Sequence, residues 1–576
     1  MQRRLEAARG DLAAARSHLD RDPALRLASR LPFVGSQASG LRQLVGAAEA
    51  SAEAGLDASA VLLAFARQDD DPQRTAVQEG VAFLDSQQAA MAAVRLGLEE
   101  MKRRRAALPS GLVGPLAAAA ADLDDAIERL DGLVGGYERA QRLLPTMLGF
   151  HGPRRYLVLP QNETEIFASG GLISNYGIAT FADGRVTAIE FEYFINLFDR
   201  WQERSGGEYV EPPAPLRHYL LKDVSWGLGE AGWFPDFPTT AALASRFVEK
   251  GGVEAAEGTI ALDLHFVAEL LRLLGPLPVD EYGVTVTADN LSDLTLELTR
   301  GESSYPGSPG KGFLSALARE LLSRVFAAPK EEWVDLIRLL DRMGRERHLQ
   351  LHFLDRELQA LSVEYGLDGG LAQTAGDFLF IADTSVNSTK LNLILEPEAV
   401  LRIGLAPEGA VTHLTYAVHN PFPEWQQGRD PLLVSALMHE GVYGSYLRLY
   451  VPTQASLIDL RLNGAAVGAE EIGSELGRRV FGRFFPVLPG AADRLDVIYE
   501  SAGVVKAVGE GRYAYSLYIQ KQPGTVALPL TIRLEAPPGT TIETVRLDGD
   551  AVDATPVLRT DLRVDRLIEV VYRTHD

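Results

Sequence analysis

The sequence predicts an α+β multidomain protein with an N-terminal antiparallel helical bundle, a mixed α/β core and a C-terminal β-sandwich. Three observations predict it. Leucines recur every seven residues through the first quarter of the chain, strand-like and helix-like patterns alternate through the middle, and short apolar runs separated by turn residues take over from about residue 378. A chain of 576 residues exceeds what one hydrophobic core supports. Three parts are assigned: a helical stalk at 1–147, an α/β core domain at 148–380, and a β-sandwich at 381–576 with a small extra β unit from about 536.

In the stalk, Leu5, Leu12 and Leu19 share one stripe, as do Leu116, Leu123, Leu130, Tyr137 and Leu144, while Val77, Val81, Leu84, Met91 and Leu98 follow helical spacing. These positions are expected to face inward. Breaks fall at Pro23, at Leu31–Gly35, at Asp69–Pro72 and at Pro109–Gly111. The run Asp69, Asp70 and Asp71 reads as a helix cap favoured by the helix dipole, not as a metal site. The basic run Lys102–Arg105 reads as a solvated helix end.

The core domain opens with the stretch from Arg155 to Leu197. A short strand, Tyr156–Leu159, is expected to break at Pro160 into a polar loop, Gln161–Ser169. The pair Gly170 and Gly171 follows, and then two strands, Leu172–Phe181 and Arg185–Phe191, joined by a turn at Ala182, Asp183 and Gly184. A polar loop beside a glycine pair is where a backbone can come close to a ligand or to another backbone, which makes this stretch the leading site candidate. Beyond a loop with Trp226, Trp233 and Phe234, helices are predicted at Thr239–Lys250, His265–Leu274, Asp289–Thr299, Phe313–Phe326, Glu331–Met343 and Asp355–Tyr365. Strands are predicted at Thr259–Asp263, Val284–Val286 and Leu349–Phe353, and residues 301–311 form a Gly- and Pro-rich loop.

In the last third, Ala399–Ile403, Val411–Val418, Tyr446–Val451, Tyr513–Tyr518, Leu528–Leu534 and Ile568–Tyr572 read as strands, and Asn463-Gly464 is a hairpin signal. A β-sandwich is the economical arrangement for so many short strands.

Composition excludes several functions. A formal charge of −22 supplies no cationic footprint for nucleic acid, and the absence of cysteine excludes thiolate metal sites, cysteine nucleophiles and disulfides. The sequence holds no Gly-x-Ser-x-Gly elbow, Walker lysine loop or His-Glu-x-x-His helix. Gly227–Gly232 fits a dinucleotide glycine pattern but runs into Trp233, Pro235 and Pro238 where a helix should open, so it is not a Rossmann turn. His348 and His352 lie four apart without a carboxylate between them placed as a base, and Asp548, Asp550 and Asp553 lack calcium-loop spacing. No metal centre is assigned from spacing.

Several of these residues also carry a resemblance. Gln161-Asn162, Glu165, Gly170-Gly171, Tyr176-Gly177 and the turn Asp183-Gly184 resemble the signature of the bacterial domain of unknown function 4012 family. Further matches run through Pro235–Pro238, Gly258, Ile260, Asp263, Leu270–Pro276, Gly369, Asp383, Asn387 and Lys390, spanning roughly residues 25 to 455. The resemblance implies an extracytoplasmic protein anchored in the cell membrane, and hence an apolar helix upstream of Met1. In order and spacing, Asn162, Glu163, Glu165, Gly170, Gly171, Asn175, the Asp223–Asp236 loop and Asp263 also resemble the core of LytR-CpsA-Psr phosphotransferases, which move glycans from a polyprenyl-pyrophosphate lipid to the cell wall.

That second resemblance implies that Glu163, Glu165 and one of Asp223, Asp236 or Asp263 hold a magnesium-bound pyrophosphate, with Arg154, Arg155, Lys222 or Arg246 as the basic partner. Two residues depart from it: Phe167 stands where an arginine is usual, and the later basic segment is reduced to Lys311. The expectation is therefore a degenerate core, with Phe167 pointing inward and Asn162 and Glu165 bonded to backbone amides of the Gly170-Gly171 turn. The corresponding function is a cell-envelope-facing binding or assembly protein in exopolysaccharide or cell-surface biogenesis, with a glycan, a lipid-linked glycan or a surface protein as partner. The alternatives are a magnesium-dependent phosphotransferase on polyprenyl-pyrophosphate-linked glycan and a structural surface or filament subunit.

Overall fold

A computed structural model describes residues 2–23, 31–67, 74–299, 312–429, 431–552 and 557–574. The Asp69–Asp71 run, the 301–311 loop with Lys311, and Asp553 lie outside the described residues. The chain divides into two compact units. The first holds Met1–Arg154 with Phe181–Val186 and Phe326–Pro329; the second holds the remainder, so the α/β layer and the strand-rich region belong to one unit.

The first unit is built from α1 (Gln2–Arg21), α2 (Pro32–Arg67), α3 (Ala76–Ser86), α4 (Gln88–Ala106) and α5 (Pro115–Met147). Thr75 and Gln78 form a reciprocal capping box that starts α3, and Pro115 opens α5 where its missing N–H costs nothing. Leu123 is buried against Leu44, Ala47, Ala50 and Met101, with Leu116 and Leu130 packed beside them, and Tyr137 packs on a second cluster of Ala54, Met91, Val94, Leu98 and Val134. The seven-residue stripe therefore faces inward, as its spacing predicts. The basic run pairs across helices: Lys102 with Asp131 at 2.6 Å, and Arg105 with both oxygens of Asp124 at 2.6 and 2.8 Å.

In the second unit a mixed sheet is formed by β1 (Arg154–Phe167), β2 (Gly170–Leu172), β3 (Asn175–Ala182), β4 (Arg185–Tyr193), β5 (Gly258–Asp263) and a later strand, in the order β4-β3-β1-β5 and then Leu349–Phe353, with β2 paired to β1. A small separate pair, β6 (Leu277–Val279) and β7 (Val284–Val286), precedes that later strand, which is β8. β1 and β5 run parallel from Tyr156↔Gly258 to Gln161↔Asp263, and β8 closes the edge antiparallel to β5. The helices of this layer are α6 (Phe194–Ser205), α7 (Phe237–Lys250), α8 (Leu264–Leu274), α9 (Leu291–Thr299), α10 (Phe313–Phe326), α11 (Lys330–Arg345) and α12 (Arg356–Glu364). Leu157 and Leu159 of β1 pack on Ala241, Ala244 and Phe247 of α7 and on Trp201 of α6 in one buried cluster. The sequence reading missed α6 because it follows β4 directly, with Tyr193 at its N-cap and no side-chain cap to mark the start.

The strand-rich region runs from β9 (Asp377–Ser385) through β10 (Glu396–Ala406), β11 (Gly409–His419), β12 (Tyr443–Val451), β13 (Ser456–Leu462), β14 (Ala465–Ala466), β15 (Glu471–Glu475) and β16 (Arg478–Val487). It continues through β17 (Ala492–Ala502), β18 (Val505–Gly509), β19 (Arg512–Gln520), β20 (Pro529–Glu535), β21 (Thr540–Leu547), β22 (Asp550–Val552), β23 (Val557–Asp561) and β24 (Arg566–Thr574). One sheet has the order β14-β13-β17-β11-β10-β20-β23, and the other β15-β16-β12-β9-β19-β24-β21-β22 with β18 on β19. Leu401, Leu414 and Val497 of the first sheet share one buried cluster with Leu379, Leu447 and Phe481 of the second, so the two sheets face each other across a common core. The Asn463-Gly464 pair has φ of 51° and 82° and turns the β13–β14 hairpin, as its type I′ preference predicts.

The end of α11 shows how the layers are tied. His348 N–H bonds the Met343 carbonyl at 2.8 Å and Arg347 N–H bonds the Gly344 carbonyl at 2.9 Å, which is the Schellman pattern, with Arg347 at φ 57° where glycine is usual. A non-glycine residue there costs about 1 kcal/mol. The arginine is held nonetheless, because its guanidinium makes two bonds, 3.0 and 2.7 Å, to Asp565 at the start of β24. Asp565 also accepts from Tyr518 Oη at 2.6 Å and the Lys521 N–H at 2.8 Å; burial raises its carboxyl, but the Arg347 charge, with these donors, holds it below the usual range. Asp565→Ala, which leaves a largely buried guanidinium unpaired, is expected to lower unfolding stability in urea by about 3 kcal/mol. A loss below about 0.5 kcal/mol would show the tie to be dispensable.

Candidate functional site

The polar stretch after Pro160 does not leave the sheet. β1 continues without a break to Phe167, and the expected Gln161–Ser169 loop is instead a bulge: Asn162 pairs with Leu172 and Ile166 with Gly171, leaving Glu163–Glu165 as extra residues in one strand. Pro160 stands within β1, opposite Leu262 of the parallel neighbour β5. The bulge is braced internally: Asn162 Oδ1 accepts from Thr164 N–H and Oγ1 at 3.3 and 2.7 Å, and Asn162 Nδ2 donates to Glu165 Oε1 at 3.0 Å.

The same Glu165 oxygen takes Lys390 Nζ at 2.7 Å, an ion pair between the bulge and the segment following β9. Asn392 Nδ2 donates to the Glu163 carbonyl at 2.7 Å. The expectation that Asn162 and Glu165 bond to amides of the Gly170-Gly171 turn is thus corrected. Their partners are each other, Thr164 and the sandwich-side Lys390.

The glycine pair is a place of backbone approach, and what approaches is the protein itself. A side chain at Gly171 would strike the Asn162 carbonyl and the Glu163 amide, and one at Gly524 would strike the Gly170 carbonyl. The segment after β19 lies against this hairpin. Gln522 Nε2 donates to the Phe167 and Asp383 carbonyls at 3.0 and 2.7 Å and its Oε1 accepts from Asp383 N–H at 2.9 Å. Gln520 binds Ala372 N–H and the Gly370 carbonyl, and Gln350 donates to the Ser169 carbonyl at 3.0 Å. Lys521, wholly buried between these glutamines, gives its ammonium to the Gln522 and Thr525 carbonyls, and burial pushes it down to about 7. Phe167 is buried among Leu157, Leu159, Trp233 and Phe237, so the ring points inward as expected.

Two of the candidate aspartates are helix caps. Asp236 starts α7, accepting Thr239 N–H at 3.0 Å and Oγ1 at 2.6 Å, and its other oxygen takes Leu371 N–H at 2.9 Å. Asp263 starts α8, accepting Phe266 N–H at 2.9 Å, while its second oxygen meets His348 Nδ1 at 2.5 Å. Glu163 reaches the same helix start and accepts Leu264 N–H at 3.3 Å; burial, reinforced by the Asp263 charge, pushes it up to about 8. His265 is pushed down to about 4 by burial and by its neighbour His348, whose ring lies 4.3 Å away between centroids.

The remaining candidates stand elsewhere. Asn175 is buried at the start of β3 and donates to Ser174 Oγ at 3.4 Å. Asp223 and Lys222 line an open cleft of about 740 Å³ with Glu211, Arg217 and His218. Arg155 pairs with Glu254, Arg246 lines a separate cleft of about 250 Å³ with Glu249 and His352, and Arg154 belongs to the first unit. Arg155, Lys222 and Arg246 stand at other places, whereas Lys390 pairs with Glu165 and Lys521 neighbours Asp263. His348 and His352 also part company, one at the α8 start and the other in the Arg246 cleft. Lys390 is one of the motif positions, but Gln520-Lys521-Gln522 and Glu346 carried no sequence signal, being polar residues whose partners lie far along the chain.

With this geometry in place the chain can be compared with known proteins. Residues 151–299 match the family model of a protein of unknown function, DUF4012. The matched span is narrower than the resemblance implied: it holds the bulge, the glycine pair, Asp236 and Asp263, but neither Lys390 nor the glutamine segment. No curated protein matches the chain. Among solved structures, a putative nutrient binding protein from Legionella pneumophila is 11% identical over 34% of this chain and 71% of its own, with a TM-score of 0.22. An M1 zinc metallopeptidase from Deinococcus radiodurans is 13% identical over 31% of this chain and 42% of its own, with a TM-score of 0.18. Leukotriene A4 hydrolase from Saccharomyces cerevisiae is 10% identical over 31% and 29%, with a TM-score of 0.19. The match spans less than half of either enzyme, and likenesses this slight carry no functional argument.

Within the DUF4012 span, Glu230 is buried, and desolvation pushes it up to about 7 from 4.5. Because the folded state favours the protonated acid, its contribution to stability is fully present below about 4.5 and is lost as pH rises through about 7. Glu230→Gln is therefore expected to be more stable than the wild type at pH 8, by about 1–3 kcal/mol, and level with it near pH 4. Chemical denaturation at the two pH values checks this; equal stabilities at pH 8 would contradict it.

Proposed function

We propose that this protein is a non-enzymatic binding or assembly component facing the cell envelope, held at the membrane and working in exopolysaccharide or cell-surface biogenesis, with a degenerate core of LytR-CpsA-Psr type. The observation that carries the reading is where the carboxylate oxygens go. Asp236 and Asp263 are committed to helix starts, Glu165 to Lys390, and Phe167, at the position where the resemblance expects an arginine, is a buried apolar ring. Transfer of a pyrophosphate-linked group needs several converging cations to stabilise the developing charge. Here Arg155, Lys222 and Arg246 stand apart from those carboxylates.

The ligand surface of this reading is the open cleft of Arg217, His218, Lys222 and Asp223, whose donors and acceptors of both signs suit a polar glycan. Among the described residues no helix is long and apolar enough to cross a membrane.

Two measurements test this. In calorimetric titrations with magnesium and a polyprenyl-pyrophosphate analogue, no metal-dependent binding is expected, and Glu165→Ala should lose about 1–3 kcal/mol of folding stability; metal-dependent affinity abolished by Glu165→Ala would restore the phosphotransferase. Isolated envelope polysaccharide should bind the wild type and bind the Lys222→Ala, Asp223→Ala double variant about tenfold more weakly, a difference of about 1.4 kcal/mol. Equal binding by the two would remove the cleft from the account.

A further inference from the structure

We propose that His265, Glu346 and His348 bind a divalent transition-metal ion, with zinc the best match to the donor set. One ligand atom from each lies within 4.8 Å of the others. Glu346 and His348 are 5% and 2% exposed, and Glu346 Oε2 and His348 Nε2 are buried polar atoms without a hydrogen-bond partner. Leaving such atoms unsatisfied is costly, and two unpartnered electron-pair donors in one cluster point to an acceptor between them.

The surroundings fit a metal better than they fit a further hydrogen bond. His348 Nδ1 lies 2.5 Å from Asp263, and an Nδ1–H donated to that carboxylate leaves Nε2, which has no hydrogen-bond partner, with its lone pair free. This is the carboxylate–histidine arrangement that orients imidazole ligands in metalloproteins. Asp263 is itself fixed by capping α8, and Arg347 at φ 57° turns the chain between Glu346 and His348. Asp263 and Glu346 together bring two negative charges to a dication. His265, half-buried in the first turn of α8, gives the site a side open to entry.

Tetrahedral zinc with bonds of about 2.0–2.1 Å needs its ligand atoms about 3.3 Å apart, so binding draws the three side chains inward by about 1 Å. Three protein ligands leave a fourth position for water or a bound group. Two imidazoles disfavour magnesium and calcium, which take oxygen ligands. Spacing along the sequence assigns no metal centre, and the His348/His352 pair does not read as one. His265 is 81 residues from Glu346, and His348 works with Asp263 rather than with His352.

The test is titration of the tag-free, chelator-treated full chain with Zn²⁺ alone, and separately with Co²⁺. Saturable one-to-one binding is expected, with a visible Co²⁺ spectrum of tetrahedral type and no competition from Mg²⁺ or Ca²⁺. Asp263→Asn should weaken Zn²⁺ binding about 10–100-fold, and His265→Ala should abolish both the binding and the spectrum. His265 is half-buried, so that variant is expected to fold, and its circular dichroism is compared with the wild type. Absence of saturable binding by the folded wild type, or binding unchanged in both His265→Ala and Glu346→Gln, would overturn the proposal.

Discussion

The second unit depends on a requirement that polar groups taken out of water must find partners. Three consecutive residues, Gln520, Lys521 and Gln522, are buried with at most 6% exposure between the mixed sheet and the sandwich. The cost of burying two amides and an amine without partners is about 1–3 kcal/mol for each group. It is met by backbone atoms that only one arrangement supplies: the Phe167 carbonyl from β1, the Asp383 amide and carbonyl from β9, and Gly370 and Ala372 from the segment before it. Apolar contacts would hold the layers together over a range of offsets. These hydrogen bonds specify one of them.

The bulge in β1 has its meaning within this arrangement. Three extra residues in the strand aim Glu165 at Lys390 and place Glu163 at the start of α8, and the glycines opposite permit the hairpin and the Gly524 backbone to close over them. A loop with this composition resembles a phosphate cradle in sequence because both need acceptors, donors and small residues close together. The difference lies in what occupies the space, which here is the chain's own sandwich segment. The titratable groups left over, Asp263 and His348 with Glu346 and His265, form a cluster of a different chemical kind.

Much of the fold is legible in the sequence. The stripe of Leu116, Leu123, Leu130 and Tyr137, the strands Thr259–Asp263 and Leu349–Phe353, and the Asn463-Gly464 turn all follow from local periodicity and turn chemistry. Local signals fail where a local rule is overridden. β1 keeps its strand through Pro160 with β5 alongside, α6 starts without a polar cap, and Arg347 adopts a glycine conformation because Asp565 holds its side chain. The candidate site was legible in part. The stretch around Glu165 and Asp263 was found as polar residues in an apolar setting, but Lys390 is 225 residues from Glu165 and Gln522 is 355 from Phe167, so partnership across the fold left no trace in spacing.

The central claim is that the α/β layer and the sandwich are one cooperative body because the glutamine seam joins them. Native-state hydrogen exchange measures this most directly, through the opening free energies of amides in β1, β5, β9 and β19 as denaturant is raised. The account predicts that the four strands converge on a single global opening, and that Gln522→Ala lowers all four together. Separate plateaus for β1 and β5 on one hand and β9 and β19 on the other, or a Gln522→Ala effect confined to β9 and β19, would contradict it.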